Sequence, residues 1–189
     1  MWSSPLFWIV FAIAVFWALG AYNRLMRLRS AVVQAFGSFD AHMVRLVALL
    51  GEFGAARAAQ PSSPLNAPEQ EMAALQGATN QLSASLAMAR ARPLQADAIA
   101  ALTAARDVLQ ACWQKAERRE GQGSPQPAAT DTRDALPSPW QIRWDEHVQQ
   151  NDQAIRVFND AVLHYNAAIA QFPANLLARA FGFKAARGL

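Results

Sequence analysis

Hydrophobic and polar positions follow two different rules along this chain, and the change between them falls near residue 23. From Pro5 to Tyr22 the chain reads PLFWIVFAIAVFWALGAY, with no charged side chain. A helix rises about 1.5 Å per residue, so roughly 20 apolar residues cross a hydrocarbon core about 30 Å thick. The stretch therefore predicts one membrane-spanning helix. Beyond it the pattern becomes periodic. Leu25, Leu28, Val32, Phe36, Phe39, Met43, Leu46, Leu50 and Phe53 recur at spacings of three and four, which is one seam of an amphipathic helix. No proline or cap separates seam from span, so Pro5 to about Arg57 is predicted as one continuous or gently kinked helix.

QPSSPLNAP, residues 60–68, interrupts the periodicity. A second helix is expected over about Pro68–Ala91, with a thinner seam of Met72, Leu75, Thr79, Leu82, Leu86 and Ala89. Pro93 disfavours helical geometry at Arg92 and implies a tight turn. A third helix is expected from about Pro93 to Arg119, its seam Leu94, Ala98, Leu102, Ala105, Leu109, Cys112 and Ala116, with Trp113 beside it. Residues 120–139 hold four prolines and two glycines among small and polar residues. They offer too little apolar surface to offset ordering entropy, which predicts a flexible loop. The fourth helix starts near Pro139, with a seam of Trp144, Val148, Asn151, Ile155, Phe158, Val162, Tyr165, Ile169 and Phe172. Pro173 ends it, and ANLLARAFGFKAARGL follows.

Short links favour antiparallel neighbours. The expected fold is all-α: an N-terminal transmembrane helix continuing into an antiparallel up-and-down four-helix bundle. Residues 1–23 form the anchor, 24–172 the bundle, and 173–189 a short amphipathic C-terminal tail. Four alternating helices return Phe172 to the end where the bundle began, close to Tyr22. On this expectation Leu176, Leu177, Ala180 and Phe181 share one face of the tail, Gly182 ends its helix, and Lys184 and Arg187 can meet anionic head groups. That face lies on the bilayer or caps the seam between the first and fourth helices.

Charge placement sets the expected orientation. Arg24, Arg27 and Arg29 follow the apolar run, whereas the residues before it hold no Lys or Arg. The positive-inside rule then puts the N-terminus outside and the domain of this single-pass chain in the cytoplasm. Tyr22 sits at the interfacial end of the run, where aromatic rings favour head groups. A cleaved signal peptide is the competing reading: Ala18-Leu19-Gly20 is small-x-small, but the basic n-region is missing and the run is long. A buried core helix is excluded by size, because 189 residues supply no layer thick enough to hide it. The chain carries a formal net charge of +3. Three arginines sit beside the span and Arg179, Lys184 and Arg187 in the tail, while the charges between are interspersed without a basic stripe, which argues against nucleic-acid binding.

Two stretches carry a family resemblance. YNRLMRLRSAVVQAFGSFD, Tyr22–Asp40, and FNDAVLHYNAAIAQFPANLLARAFGFK, Phe158–Lys184, together resemble the LemA family of bacterial membrane-anchored helical proteins. The shared features are an opening YN-x-L-x-x-L-R and a closing YN…FP-x-N-L-x-A…FGFK. The resemblance implies a four-helix bundle and supplies no catalytic residues. Where family members continue with a basic stretch and an Ile-Pro-Asn-Leu segment, this chain reads MVRLVALLGEFGAAR.

Candidate chemistry is sparse. His42, His147 and His164 are the only histidines, and Asp160 and His164, four apart, face each other on the fourth helix. Asp145-Glu146-His147 reads as a solvated cluster. Cys112 sits on the apolar seam with no basic neighbour, as a small core residue does. There is no phosphate loop, nucleophile elbow or zinc spacing. Asn151, Asn159, Tyr165 and Asn166 are the notable polar residues, read as buried contacts that fix helix register. The expectation is a non-enzymatic scaffold or partner-binding module with no cofactor. A lipid-binding or membrane-shaping role is the alternative, as is a ligand site between helices. The expected partners are the bilayer and an unidentified protein, with self-association open.

Overall fold

In a computed structural model, described over residues 5–59, 67–123, 138–172 and 174–189, the described residues form five helices and no strand. Side chains at 67–69 and 119–123 fall outside that description. So does most of the predicted 120–139 loop and of the 60–68 break. The helices are α1 (Pro5–Ala58), α2 (Ala67–Ala91), α3 (Ala96–Gly123), α4 (Pro139–Ala170) and α5 (Ala174–Ala180).

α1 is unbroken through 54 residues, about 80 Å of helix. It is long and apolar enough at its N-terminal end to cross a membrane, and none of that apolar window is buried. From Leu25 onward the same helix buries a stripe: Leu25, Val32, Ala35, Phe36, Phe39, Met43, Leu46, Leu49, Leu50 and Phe53. The seam read from the sequence is nearly this set. Ala35 and Leu49 widen it because α1 faces more than one neighbour.

α1 packs chiefly on α4 and also on α2, while α2 packs chiefly on α3. Phe36 meets Phe158 with ring centroids 5.9 Å apart, and Phe53 meets Trp140 at 5.5 Å. Ascending numbers on α1 therefore meet descending numbers on α4, so the two run antiparallel. Arg90 pairs with Asp40 at 2.6 Å, Lys115 with Glu71 at 3.8 Å and Arg143 with Glu52 at 2.8 Å. Each pair has at least one exposed partner, so these pairs fix register more than they stabilise. One apolar cluster draws on all four long helices and on Ala186 of the tail. Trp113 of α3 stacks on Trp144 of α4 at 4.5 Å and touches Phe53 of α1 at 5.1 Å.

Several boundaries and seam positions differ from expectation. α3 begins at Ala96 rather than Pro93, because Gln95 N–H bonds back to Arg92 O at 3.0 Å and closes a turn across Pro93 and Leu94. It continues to Gly123, four residues into the stretch expected to be loop. On its buried face stand Ile99 and Trp113, with Cys112 only half-buried beside them. α2 turns Ala78 inward and leaves Thr79 at the margin, its hydroxyl bonded to Leu75 O at 2.8 Å. On α4, Ala154 and Ala168 take buried places, and Phe172 is 79% exposed rather than the last seam residue. Ser138 caps α4, accepting from Gln141 N–H at 3.2 Å, and Pro139 opens the first turn.

The tail departs most. Only Ala174–Ala180 is helical, and it buries Ala178 rather than the predicted face. Gly182, at φ +69°, closes α5, with Phe183 N–H bonded to Ala178 O at 2.8 Å. That six-to-one bond is the Schellman arrangement, and it needs the left-handed residue that glycine supplies. The chain then turns and runs back along α4 without regular secondary structure.

Candidate functional site

Two features lie at the α4–α5 end of the molecule. The first is a ladder of side chains on α4 that holds the returning tail. Asn166 accepts from Ala186 N–H at 2.9 Å and donates its Nδ2 to Ala186 O at 2.8 Å. Asn159 repeats the arrangement with Leu189, accepting from its N–H at 2.9 Å and donating to its carbonyl at 3.1 Å. Beyond the Asn166 pair, Tyr165 donates to Lys184 O at 3.0 Å. The spacings agree. Asn159 and Asn166 are seven residues apart on a helix, about 10 Å. Ala186 and Leu189 are three apart, so they bridge that distance only near full extension. The tail therefore runs antiparallel to α4. Ala186 is buried in the core, and a Cβ on Gly188 would stand 2.5 Å from Asn159 Oδ1. Burial pushes the Tyr165 hydroxyl above its ordinary pKa, with Arg29 pulling the other way.

The second feature is an apolar corner. Tyr22 stacks obliquely on Phe181 at 5.2 Å and on Phe183 at 6.2 Å, tying the start of the α1 seam to the end of α5. Beside them a cleft of about 600 Å³ opens between α1 and the α4–α5 junction, lined by Phe16, Trp17, Arg24, Leu25, Ala168 and Phe172. Phe172, Leu176 and Phe181 are 79%, 59% and 62% exposed. Arg24, Arg27 and Arg29 are exposed nearby in sequence, and Leu177 is half-buried.

No family model, curated protein or solved structure matches the chain.

The remaining polar groups are scattered. Asn151, buried on α4, lines a cavity of about 30 Å³ between α1, α3 and α4 with Met43, Leu109 and Trp144. That volume admits about one water molecule, and Asn151 Oδ1 meets no protein donor. His147 is half-buried rather than solvated, and its Nδ1 and that of His42 are both enclosed without a partner. Burial lowers the His147 pKa, and Arg143 lowers it further, against Glu146. His164 bonds through Nδ1 to the Asp160 carbonyl oxygen of its own helix at 2.7 Å, not to the Asp160 carboxylate. Among the described residues no three His, Cys, Asp or Glu converge on a metal-sized site.

Sequence reasoning picked out Asn159, Tyr165 and Asn166 but expected them to bind helix to helix. Their partners are main-chain atoms of a segment 19 to 30 residues further on. Gly188 and Ala186, which make that approach possible, were missed. Their only sequence signal is small size within a short apolar tail.

Proposed function

We propose that this is a single-pass membrane protein of the LemA type, an antiparallel up-and-down four-helix bundle that holds a protein partner at the bilayer surface without catalysing a reaction. The observation that carries the reading is α1 itself. One helix is wholly exposed and apolar over its first turns and, from Leu25, becomes the central stripe of the core. An exposed apolar surface of that length is unstable in water and stable in lipid. The arginines at positions 24, 27 and 29 then face the head groups, and the bundle stands in the cytoplasm of a bacterial cell under the positive-inside rule. The polar side chains of α4 support a non-catalytic role, since three of them are engaged with the chain's own backbone.

The test is topological. A cysteine placed at Gly121, in a Cys112→Ala background, should resist a membrane-impermeant maleimide in intact cells and react after permeabilisation. The chain should also stay in the membrane pellet through alkaline carbonate. Labelling in intact cells would overturn the orientation, and release by carbonate would overturn the anchor.

One observation favours a second, compatible reading, in which the α4–α5 corner rests in the head-group layer. Phe172, Leu176 and Phe181 are large, apolar and exposed beside the helix that enters the bilayer. An environment-sensitive dye at position 181, read in nanodiscs with head-group-quencher lipids, should be quenched. A water-like, unquenched spectrum would remove this reading and leave the anchor intact.

A further inference from the structure

The tail is held in an unusual way. Asn166 takes both the N–H and the C=O of Ala186, and Asn159 takes both the N–H and the main-chain oxygen of Leu189. Such pairs recognise main chain, which every peptide presents, and leave side chains to be selected by fit. Three positions are selected by fit: Ala186, enclosed in the core, Gly188, where any Cβ would displace the Asn159 amide, and Leu189, half-buried against the apolar cluster. Lys184, Ala185 and Arg187 point their specificity nowhere; all three are exposed. Free asparagines on a helix would bond water equally well. Their register, seven residues against three, matches a near-extended ligand. The tail also departs from a natural hinge. Gly182 is left-handed and closes α5, so residues beyond it can leave without unwinding a helix.

We infer that the face of α4 bearing Asn159, Tyr165 and Asn166 is a backbone-reading peptide site, with residues 184–189 as its resident ligand in cis. The site accepts, in exchange, an extended segment of another chain that carries a small residue, a glycine two positions on, and an apolar residue directly after the glycine. The tail is then a built-in competitor, present at an effective concentration of the order of millimolar through its short tether. A partner must exceed that competition to bind. The inference deepens the partner-binding reading above and rests on it. The two fail separately, because peptide binding in micelles is independent of anchor orientation.

The test uses the full chain in detergent micelles and a fluorescein-labelled peptide of residues 182–189, GFKAARGL. In the double variant Ala186→Glu, Gly188→Val the tail cannot return, since one substitution buries a charge and the other collides with Asn159. The labelled peptide should bind this variant with a micromolar Kd and bind wild type at least about 100-fold more weakly. Adding Asn159→Ala and Asn166→Ala to the double variant should cost at least about tenfold in affinity, as should valine in place of the peptide's glycine. A folded double variant that binds no peptide at about 1 mM overturns the proposal. So does binding that ignores both the asparagine substitutions and the valine. Should the double variant fail to fold, wild-type amide exchange decides. Ala186 and Leu189 N–H should be protected relative to Ala185 and Arg187, and should lose that protection in Asn159→Ala, Asn166→Ala. Uniformly fast exchange across 184–189 in wild type overturns the site.

Discussion

Phe158→Ala tests the core where α1 meets α4. Phe158 is fully buried, and its ring meets Phe36 edge-on at 5.9 Å. Truncation removes the transfer free energy of most of a benzyl group, the aromatic contact, worth about 0.5–1.5 kcal/mol, and leaves a cavity. Buried Phe→Ala changes cost about 3–5 kcal/mol in total. The site can collapse only poorly, because Val162 and Phe39 around it are themselves fixed in long helices. The upper half of that range is therefore expected. For a chain of 189 residues, each kcal/mol lowers Tm by about 2–4 °C, so the melt should fall by at least about 8 °C. Val157, the preceding residue on the same helix, is about half exposed. Val157→Ala serves as the control and should stay within about 0.5 kcal/mol of wild type. Both are read by circular dichroism of the full chain in one detergent, with urea unfolding to check that the m-value holds. A Phe158→Ala loss below about 1 kcal/mol, or a Val157→Ala loss of equal size, would refute the assigned face of α4.

Asn151→Leu should leave Tm unchanged or raise it, since it removes a buried acceptor that meets no protein donor and fills a cavity of about 30 Å³; a clear fall would show that a water or ligand bonds there. Leu176→Ser with Phe181→Ser should leave Tm within a few degrees, because both side chains are exposed, while weakening quenching of the tail dye by head-group lipids; unfolding instead would make the corner part of the core. The pKa of His147 is lower folded than unfolded, so its neutral form is favoured in the native state. Its contribution is therefore fully present above the unfolded pKa of about 6.5 and is lost as pH falls through the lower folded value. Tm should decline on acidification below about pH 6.5, and less so in His147→Gln; identical declines in the two would remove His147 from the acid response.

The long helices were legible because burial on them follows a 3.6-residue period, and Leu25 to Phe53 reproduce it nearly residue for residue. The alanine-rich helices were read less well. When most residues are small, size no longer marks the inward face, and Trp113 rather than Cys112 proves to hold it on α3. Phe172 was placed inside by periodicity alone, yet it lies at the turn where α4 ends and is exposed. The tail was legible only to Gly182. Periodicity has no bearing on a segment without regular structure, and the bonds that place it join atoms 19 to 30 residues apart. Asn159 and Asn166 announced that polar partners were needed, without saying which.

The continuity of α1 across residue 25 has a mechanical consequence. The buried part of that helix, residues 25–58, is about 50 Å long and shares one axis with the apolar part. It behaves as a lever whose fulcrum lies where the cleft and Tyr22 sit. An apolar segment adjusts to bilayer thickness by tilting. A change of about 20° at the fulcrum swings the far end, where Phe53, Trp113, Trp140 and Trp144 gather, through about 17 Å. In the membrane-anchored arrangement proposed above, bilayer thickness would be written into the position of the domain's tip, with no moving part beyond a rigid rod.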